Sequence, residues 1–296
     1  MHLLHTLENS TIKIKASTCG GELHNLILKE NEIEYLWNRD PKYWTYSSPI
    51  LFPIVGKVTN SKIIVDGKSY EIPPHGIGRI SDYEVAEKTE DSITFELKYS
   101  NETLKMYPFK FSLKIKYTLI ENGVKVTYIV TNLDNKTMYF SIGAHPAFLC
   151  PIGEDEKFTD YYLEFNKKET ADIMGITEDG FFDKASRKPY LNNENIIDIT
   201  DDLFVKDNTI VFDTLKSNVV SLKSKVSNKS VTMDFDGFPY MAFWSKATGS
   251  PFVCIEPWYG HGDFYDFNGE FKDKDGVRYL DVNDSFECSY TITLSE

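Results

Sequence analysis

The stretch FKFSLKIKYTLIENGVKVTYIV, from Phe109 to Val130, indicates the fold class of this chain most clearly. Apolar residues alternate with Lys, Ser and Thr in two runs, and the pair Asn122-Gly123 separates them. Period-two alternation is typical of a strand with one buried face, and Asn-Gly between two such runs is a strong hairpin signal. The stretch therefore predicts two long antiparallel strands joined by a tight turn.

Shorter runs extend this pattern along the chain. No segment longer than about ten residues has a convincing helical period, which argues against an α/β fold. The polar stretch from Glu169 to Asp202 is the least strand-like, and we expect a long loop there rather than a domain boundary, because strands resume after it without a change in composition. We expect a single all-β domain over residues 1–296, a sandwich or barrel. Further strands are predicted at Thr11–Lys15, Lys62–Val65, Ser92–Tyr99, Ser230–Phe235 and Ser289–Leu294.

Composition limits the function classes. The 296 residues are 41% hydrophobic and 14% aromatic, which suits a large sheet core, and a net charge of −13 argues against nucleic-acid or anionic-membrane partners. The N-terminal sequence lacks a signal-peptide pattern and no apolar run approaches about 18 residues, so we expect a soluble cytoplasmic protein. Because Cys19, Cys150, Cys254 and Cys288 form no CxxC pair, neither a zinc site nor a disulfide framework is expected.

Three separated motifs each place a proton-handling side chain beside Gly or Pro. They are HGIGR with His75, GAHPAF with His145, and IEPWYG with Glu256. Two imidazoles and a carboxylate are suited to proton transfer near neutral pH, and burial of Glu256 in its apolar run would raise its pKa. The alternatives are a histidine in a surface turn and a carboxylate at a solvent-facing strand end. Trp258 favours a sugar site, because flat aromatic faces stack on sugar rings.

Other side chains leave two interpretations open. Arg79 could hold substrate hydroxyls or form a structural ion pair. Four aromatic residues between 37 and 46 could line a pocket or belong to the core: Trp37, Tyr43, Trp44 and Tyr46. His261 is expected at the surface.

Six segments, taken in order, resemble the aldose 1-epimerase (galactose mutarotase) superfamily, and more closely its LacX-like branch. The resemblance implies a large antiparallel β-supersandwich of one domain that acts on a small sugar without cofactor or metal. The segments are SSPILFPIVGKV (47–58), HGIGR (75–79), GAHPAF (143–148), DNTIVF (207–212), FPYMAFWS (238–245) and FVCIEPWYG (252–260).

The resemblance also implies roles for individual residues. His145 matches the general acid that protonates the ring oxygen, and Glu256 matches the general base that takes the proton of the anomeric hydroxyl. His75 matches a second histidine that binds and polarises the sugar, and Asp207 looks like the acidic residue that holds sugar hydroxyls.

One departure leaves the substrate open. Mutarotases of free hexoses typically carry a GRxANR-like stretch, where this chain has GKVTNSK with Lys57. Lys lacks the planar fork of Arg, and Arg79 is the alternative for that sugar contact. Three alternatives to a free-aldose epimerase remain: a hexose-6-phosphate epimerase, a sugar-binding module without turnover, and a glycoside hydrolase. The last ranks lowest, because glycoside hydrolysis normally needs two carboxylates.

Overall fold

Antiparallel strands make up most of this chain, whose computed structural model describes residues 3–207, 209–246 and 249–296, the side chain of Asp207 excepted. Within these ranges, α-helix is confined to α1 (Thr103–Met106) and α2 (Leu203–Asp207). Single 3-10 turns occur at Thr59–Ser61, Gly78–Ile80, Phe158–Asp160 and Phe271–Asp273.

The strands are, in chain order, β1 (Leu4–Glu8), β2 (Ile12–Ser17), β3 (Leu23–Leu28), β4 (Ile33–Glu34), β5 (Ile50–Leu51), β6 (Lys62–Val65), β7 (Lys68–Glu71), β8 (Glu84–Lys88), β9 (Ser92–Lys98), β10 (Phe111–Ile120), β11 (Gly123–Asn132), β12 (Met138–Phe140), β13 (Ile142–Ala144), β14 (Ala147–Leu149), β15 (Tyr161–Ile176), β16 (Phe182–Asp198), β17 (Thr209–Phe212), β18 (Val219–Ser224), β19 (Ser230–Asp234), β20 (Tyr240–Trp244), β21 (Phe252–Tyr259), β22 (Arg278–Leu280) and β23 (Ser285–Ser295). The shorter strands predicted from alternation overlap β2, β6, β9, β19 and β23, so those predictions are confirmed.

The predicted central hairpin is formed by β10 and β11, which pair from Phe111 with Asn132 to Ile120 with Gly123. The alternation has the expected cause, since Ile115 and Val126 are buried while Lys114 and Lys116 are partly exposed. The turn is Glu121-Asn122, one residue before the predicted Asn122-Gly123, and Gly123 begins β11. Packing requires a glycine at 123, because a Cβ there would lie 1.9 Å from the carbonyl oxygen of Ile292 in β23. No larger residue fits there without moving a neighbouring strand.

Two large sheets pack face to face around one main core. A nine-stranded sheet has the order β16-β15-β18-β19-β23-β11-β10-β9-β8, and a six-stranded sheet has the order β17-β20-β21-β13-β5 with β14 also paired to β21. Aromatic contacts join them: the rings of Phe52 and Phe111 are 5.1 Å apart, and those of Phe165 and Phe243 are 5.9 Å apart. A four-stranded sheet, β1 to β4, packs on the same core. The expected antiparallel sandwich is confirmed.

The expectation of a long loop from Glu169 to Asp202 is wrong. Those residues belong mostly to a long hairpin of β15 and β16 at the edge of the nine-stranded sheet. Repeated register shifts, beginning between Glu164 and Glu169, break the period-two alternation that identified the other strands. Most side chains of β16 are also exposed, as expected of an edge strand, so the sequence there is polar.

Candidate active site

The candidate site lies on the face of the six-stranded sheet that points away from the main core. In β21, Val253 and Ile255 enter the main core, whereas Cys254, Glu256 and Trp258 point to the opposite face. This follows from strand geometry, because alternate side chains of one strand point to opposite faces. The apolar run around Glu256 therefore places its carboxyl group among aromatic residues rather than in solvent.

His145 is held over Glu256 by the two short strands on either side of it. Gly143 in β13 pairs with Trp258, and Ala147 in β14 pairs with Cys254, so the His145-Pro146 connection lies opposite Glu256. His145 Nε2 is 3.3 Å from Glu256 Oε2, and the two side chains are 9% and 1% exposed. Gly143 is needed for this approach, because a Cβ there would lie 2.6 Å from the Trp258 ring.

His75 reaches the same place from a strained turn. Its backbone has φ of 64°, and its amide donates a hydrogen bond to the carbonyl oxygen of Gly56 (2.8 Å). His75 Nδ1 accepts a hydrogen bond from the Gly56 amide (3.2 Å), which assigns the proton of the neutral ring to Nε2. The His75 and His145 rings are 5.5 Å apart and nearly perpendicular. His75 is therefore a fixed hydrogen-bond donor beside His145.

Burial keeps the proton-handling groups neutral. It raises the pKa of Glu256 well above its usual range, and the Trp258 indole acts weakly in the opposite direction. Burial lowers the pKa of His145 well below its usual range, with further lowering by His75 and Arg79. Burial, Arg79 and Lys57 lower the pKa of His75 to about 3. The His145–Glu256 pair therefore carries no net charge near neutral pH and holds one proton.

These groups open into one cavity of about 270 Å³ with aromatic walls. The Trp44 ring lies 4.8 Å from the His145 ring, and the Trp244 ring lies 5.6 Å from it. Trp258 and Phe182 also line the cavity. The sequence left Trp44 open between core and pocket, and the structure assigns it to the cavity wall. Trp37 packs instead in the small core cluster behind that wall.

Lys57 and Arg79 lie at the rim. Lys57 Nζ donates a hydrogen bond to the carbonyl oxygen of Asp179 (2.8 Å), in the loop between β15 and β16. Arg79 donates from Nη2 to the carbonyl oxygen of Pro74 (2.9 Å), and its guanidinium lies 4.8 Å over the Tyr46 ring. Both residues line the cavity, and both bring positive charge to it.

The cavity brings together six of the seven site residues predicted from the sequence: His75, His145, Glu256, Arg79, Lys57 and Trp258. The seventh, Asp207, is the last residue of α2, and its side chain lies outside the described residues. Sequence reasoning missed Phe182, Ile176 and Gly180, because they belong to the hairpin that was expected to be a loop. It also passed over Trp244, although this residue stands in the FPYMAFWS segment.

The expectation that His261 lies at the surface is wrong. Its exposure is 1%, and its ring packs 4.9 Å from Phe182 and 5.2 Å from Tyr240. Its Nδ1 lies 2.6 Å from the Gly262 carbonyl oxygen. Phe182, at the start of β16, covers part of the His261 ring. The sequence around His261 does not indicate a contact with so distant a segment. His261 supports the cavity wall from behind.

Among the described residues, no helix is long and apolar enough to cross a membrane.

Comparison with known proteins gives consistent matches. A family model described as aldose 1-epimerase matches residues 4–277. The chromosomal protein LacX of Lactococcus lactis subsp. lactis is 38% identical over 295 residues, covering 97% of this chain and 98% of the relative.

Solved structures agree in fold over the full length. A galactose mutarotase related enzyme from Lactobacillus acidophilus has a TM-score of 0.95 at 32% identity, covering 99% of this chain and 98% of that chain. A galactose mutarotase-like protein from Lactobacillus casei ATCC 334 has a TM-score of 0.91 at 30% identity, covering 99% of this chain and 100% of that chain. These matches confirm the mutarotase-like sandwich expected from the sequence.

Proposed function

This chain belongs to the aldose 1-epimerase family, and we propose that it interconverts the α and β anomers of an aldose by acid–base ring opening and reclosure. The observation that carries the proposal is the 3.3 Å approach of His145 Nε2 to Glu256 Oε2 inside an aromatic cavity. A carboxylate and an imidazole placed together can exchange protons with two neighbouring sugar oxygens.

The reaction needs one proton removed and one delivered. The Glu256 carboxylate takes the proton of the C1 hydroxyl, the C1–O5 bond breaks as the C1 carbonyl forms, and the His145 imidazolium protonates O5. Rotation about the C1–C2 bond turns the aldehyde, and the reverse transfers close the ring on its other face. Each positioned proton donor or acceptor contributes roughly 10²–10⁴-fold to such a reaction.

The buried setting assists this cycle. The reactive form of the pair is the tautomer in which its one proton lies on His145 and Glu256 is a carboxylate. Ring opening returns the pair to a neutral imidazole and a neutral carboxylic acid, which low dielectric favours. His75 supplies its Nε2–H to a sugar oxygen, because its Nδ1 already accepts the Gly56 amide. Trp44, Trp244 and Trp258 offer flat faces for the sugar ring.

A second candidate is the same reaction on an anionic aldose such as a hexose 6-phosphate. Lys57 and Arg79 both face the cavity, and Glu256 is the one acidic side chain among its described lining residues. An anionic group at the rim would meet two cations although the whole chain carries a net charge of −13. A sugar-binding module without turnover is the remaining alternative.

The test is the rate of anomer interconversion, followed by polarimetry or NMR exchange, on aldoses and their 6-phosphates. Acceleration that Glu256→Gln abolishes is expected, and the preferred sugar identifies the substrate class. Sugar binding without acceleration would instead favour the binding module.

We further propose a cytoplasmic protein whose partner is the sugar alone, without nucleic acid or membrane. Cys19, Cys150, Cys254 and Cys288 are all free thiols, which suits a reducing compartment. The acidic charge disfavours phosphate-rich polymers.

A further inference from the structure

A third reactive side chain lies beside the His145–Glu256 pair. Cys254 is two residues before Glu256 on the same face of β21 and is fully buried. One ligand atom each from His145, Cys254 and Glu256 lie within 4.8 Å of one another. The proposed epimerase chemistry gives the thiol no role. The cluster therefore contains one more metal-binding group than proton transfer requires.

The polar atoms of this cluster are poorly satisfied. In the described part of the chain, both carboxyl oxygens of Glu256 and Nδ1 of His145 are buried without a well-aligned hydrogen bond, although Glu256 Oε2 lies 3.3 Å from His145 Nε2. Buried polar atoms usually have partners, and a bound ion is one of the explanations when no partner is present in the protein. The two Glu256 oxygens therefore have lone pairs that a cation could accept.

The distances suit a small cation with mixed ligands. Zinc bonds of about 2.0–2.3 Å in tetrahedral geometry put neighbouring ligand atoms roughly 3.3–3.8 Å apart. His145 Nε2 and Glu256 Oε2 already stand at 3.3 Å. The thiol sulfur, which lies within 4.8 Å of the other two ligand atoms, must approach them by about 1 Å at most. His145 and Glu256 line the cavity, so a fourth ligand, water or a sugar hydroxyl, would approach from that side.

We propose that His145, Cys254 and Glu256 form a binding site for a thiol-preferring divalent cation such as Zn²⁺ or Cd²⁺, and that its occupation blocks the active site. The cation would take the lone pairs of both proton-transfer groups, so binding and turnover exclude each other. Arg79 and Lys57 repel any cation at the cavity, so hard cations that rely on charge, such as Mg²⁺ and Ca²⁺, should not bind.

Binding should release protons, because a metal binds the thiolate and the carboxylate rather than the thiol and the carboxylic acid. The affinity should therefore increase as the pH rises.

The binding test uses the full-length protein after chelator treatment, titrated with Cd²⁺ and with Zn²⁺. We expect one equivalent of Cd²⁺ to produce the ultraviolet charge-transfer band of a cadmium–thiolate bond. Cys254→Ser should lose the band and bind Zn²⁺ at least about tenfold more weakly, whereas Cys288→Ser, which removes another buried thiol, should behave as wild type. An unchanged titration of Cys254→Ser, or no band in wild type, would overturn the proposal.

Two further measurements test the metal site independently of the Cys254→Ser titration. X-ray absorption of the zinc-loaded wild type should give one sulfur neighbour with nitrogen and oxygen, and a shell of nitrogen and oxygen alone would refute the site even if Cys254→Ser fails to fold. If the protein epimerises a sugar, Zn²⁺ should inhibit wild type and spare Cys254→Ser. Binding is measured without substrate, so failure of the epimerase proposal leaves the metal test intact.

Discussion

Substitution of Lys274 by Met should destabilise the protein strongly, because it breaks a buried ion pair. Lys274 Nζ is 2.8 Å from Asp263 Oδ1, and the side chains are 2% and 3% exposed. Asp263 also holds residues of the cavity rim in place through three hydrogen bonds. Its Oδ2 accepts the Thr59 amide, its amide donates to the Lys57 carbonyl oxygen, and its carbonyl oxygen accepts the Phe182 amide.

The size of the effect follows from what Lys274→Met leaves behind. Removing one partner of a buried ion pair costs about 3–5 kcal/mol. The Thr59 amide still bonds the Asp263 carboxylate, and Asp263 borders a small cavity of about 130 Å³ that can admit water. We therefore expect the low end, about 3 kcal/mol. At about 2–4 °C per kcal/mol for a large domain, Tm should fall by roughly 6–12 °C.

Urea unfolding of wild type, Lys274→Met, Asp263→Asn and the double variant measures the prediction. The double variant should be more stable than the sum of the single effects implies, because neither partner then stays charged and alone. Lys272→Met is the matched control, since Lys272 is exposed, and it should change stability by less than about 0.5 kcal/mol. A loss below about 1 kcal/mol for Lys274→Met, with no coupling in the cycle, would refute the reasoning.

The remaining predictions concern the site. Glu256→Gln should keep sugar binding and lose roughly 10²–10⁴-fold in turnover by polarimetry, and a near-normal rate would remove Glu256 as the base. His145→Asn should lose turnover likewise, and an unaffected rate would place the acid elsewhere. The rate of wild type should stay flat around neutral pH and fall at alkaline pH, because the His145–Glu256 pair loses its one proton as the pH passes the raised pKa of Glu256. Glu256→Gln should lose this alkaline decrease, and a residual rate that still falls at the same pH would contradict the assignment. Lys57→Met removes the hydrogen bond to the Asp179 carbonyl oxygen and should raise KM by about three- to tenfold at similar kcat. Amide hydrogen exchange in residues 177–181 should become faster, and slow exchange there would show that this hydrogen bond does not hold the loop.

Sequence reasoning succeeded where the pattern of a segment is set by its own geometry. The alternation of Phe109 to Val130 identified β10 and β11, because one face of each strand meets the core along its whole length. The motifs of His75, His145 and Glu256 predicted side chains that lie together, because Gly and Pro mark the places where the backbone leaves regular strand pairing. The cavity then joins these three side chains as expected.

Sequence reasoning failed where a residue is buried, or the cavity is lined, by a segment that is distant in sequence. The bulged, solvent-facing hairpin of β15 and β16 has no period-two pattern, yet it supplies Phe182 to the cavity. That same Phe182 is one of the three rings that cover His261, together with Tyr240 and Phe264.

The position of β23 has a consequence for how this protein is made. This strand, Ser285–Ser295, lies in the middle of the nine-stranded sheet, between β19 and β11. While the ribosome is still extending the chain, β11 and β19 each present an open edge of unpaired amides and carbonyls, which invites pairing with other chains. At a synthesis rate of about 5–20 residues per second, the interval between completing β11 and adding β23 is roughly 8–30 seconds. Nascent chains of this protein should therefore depend on chaperone protection until residue 295 has emerged.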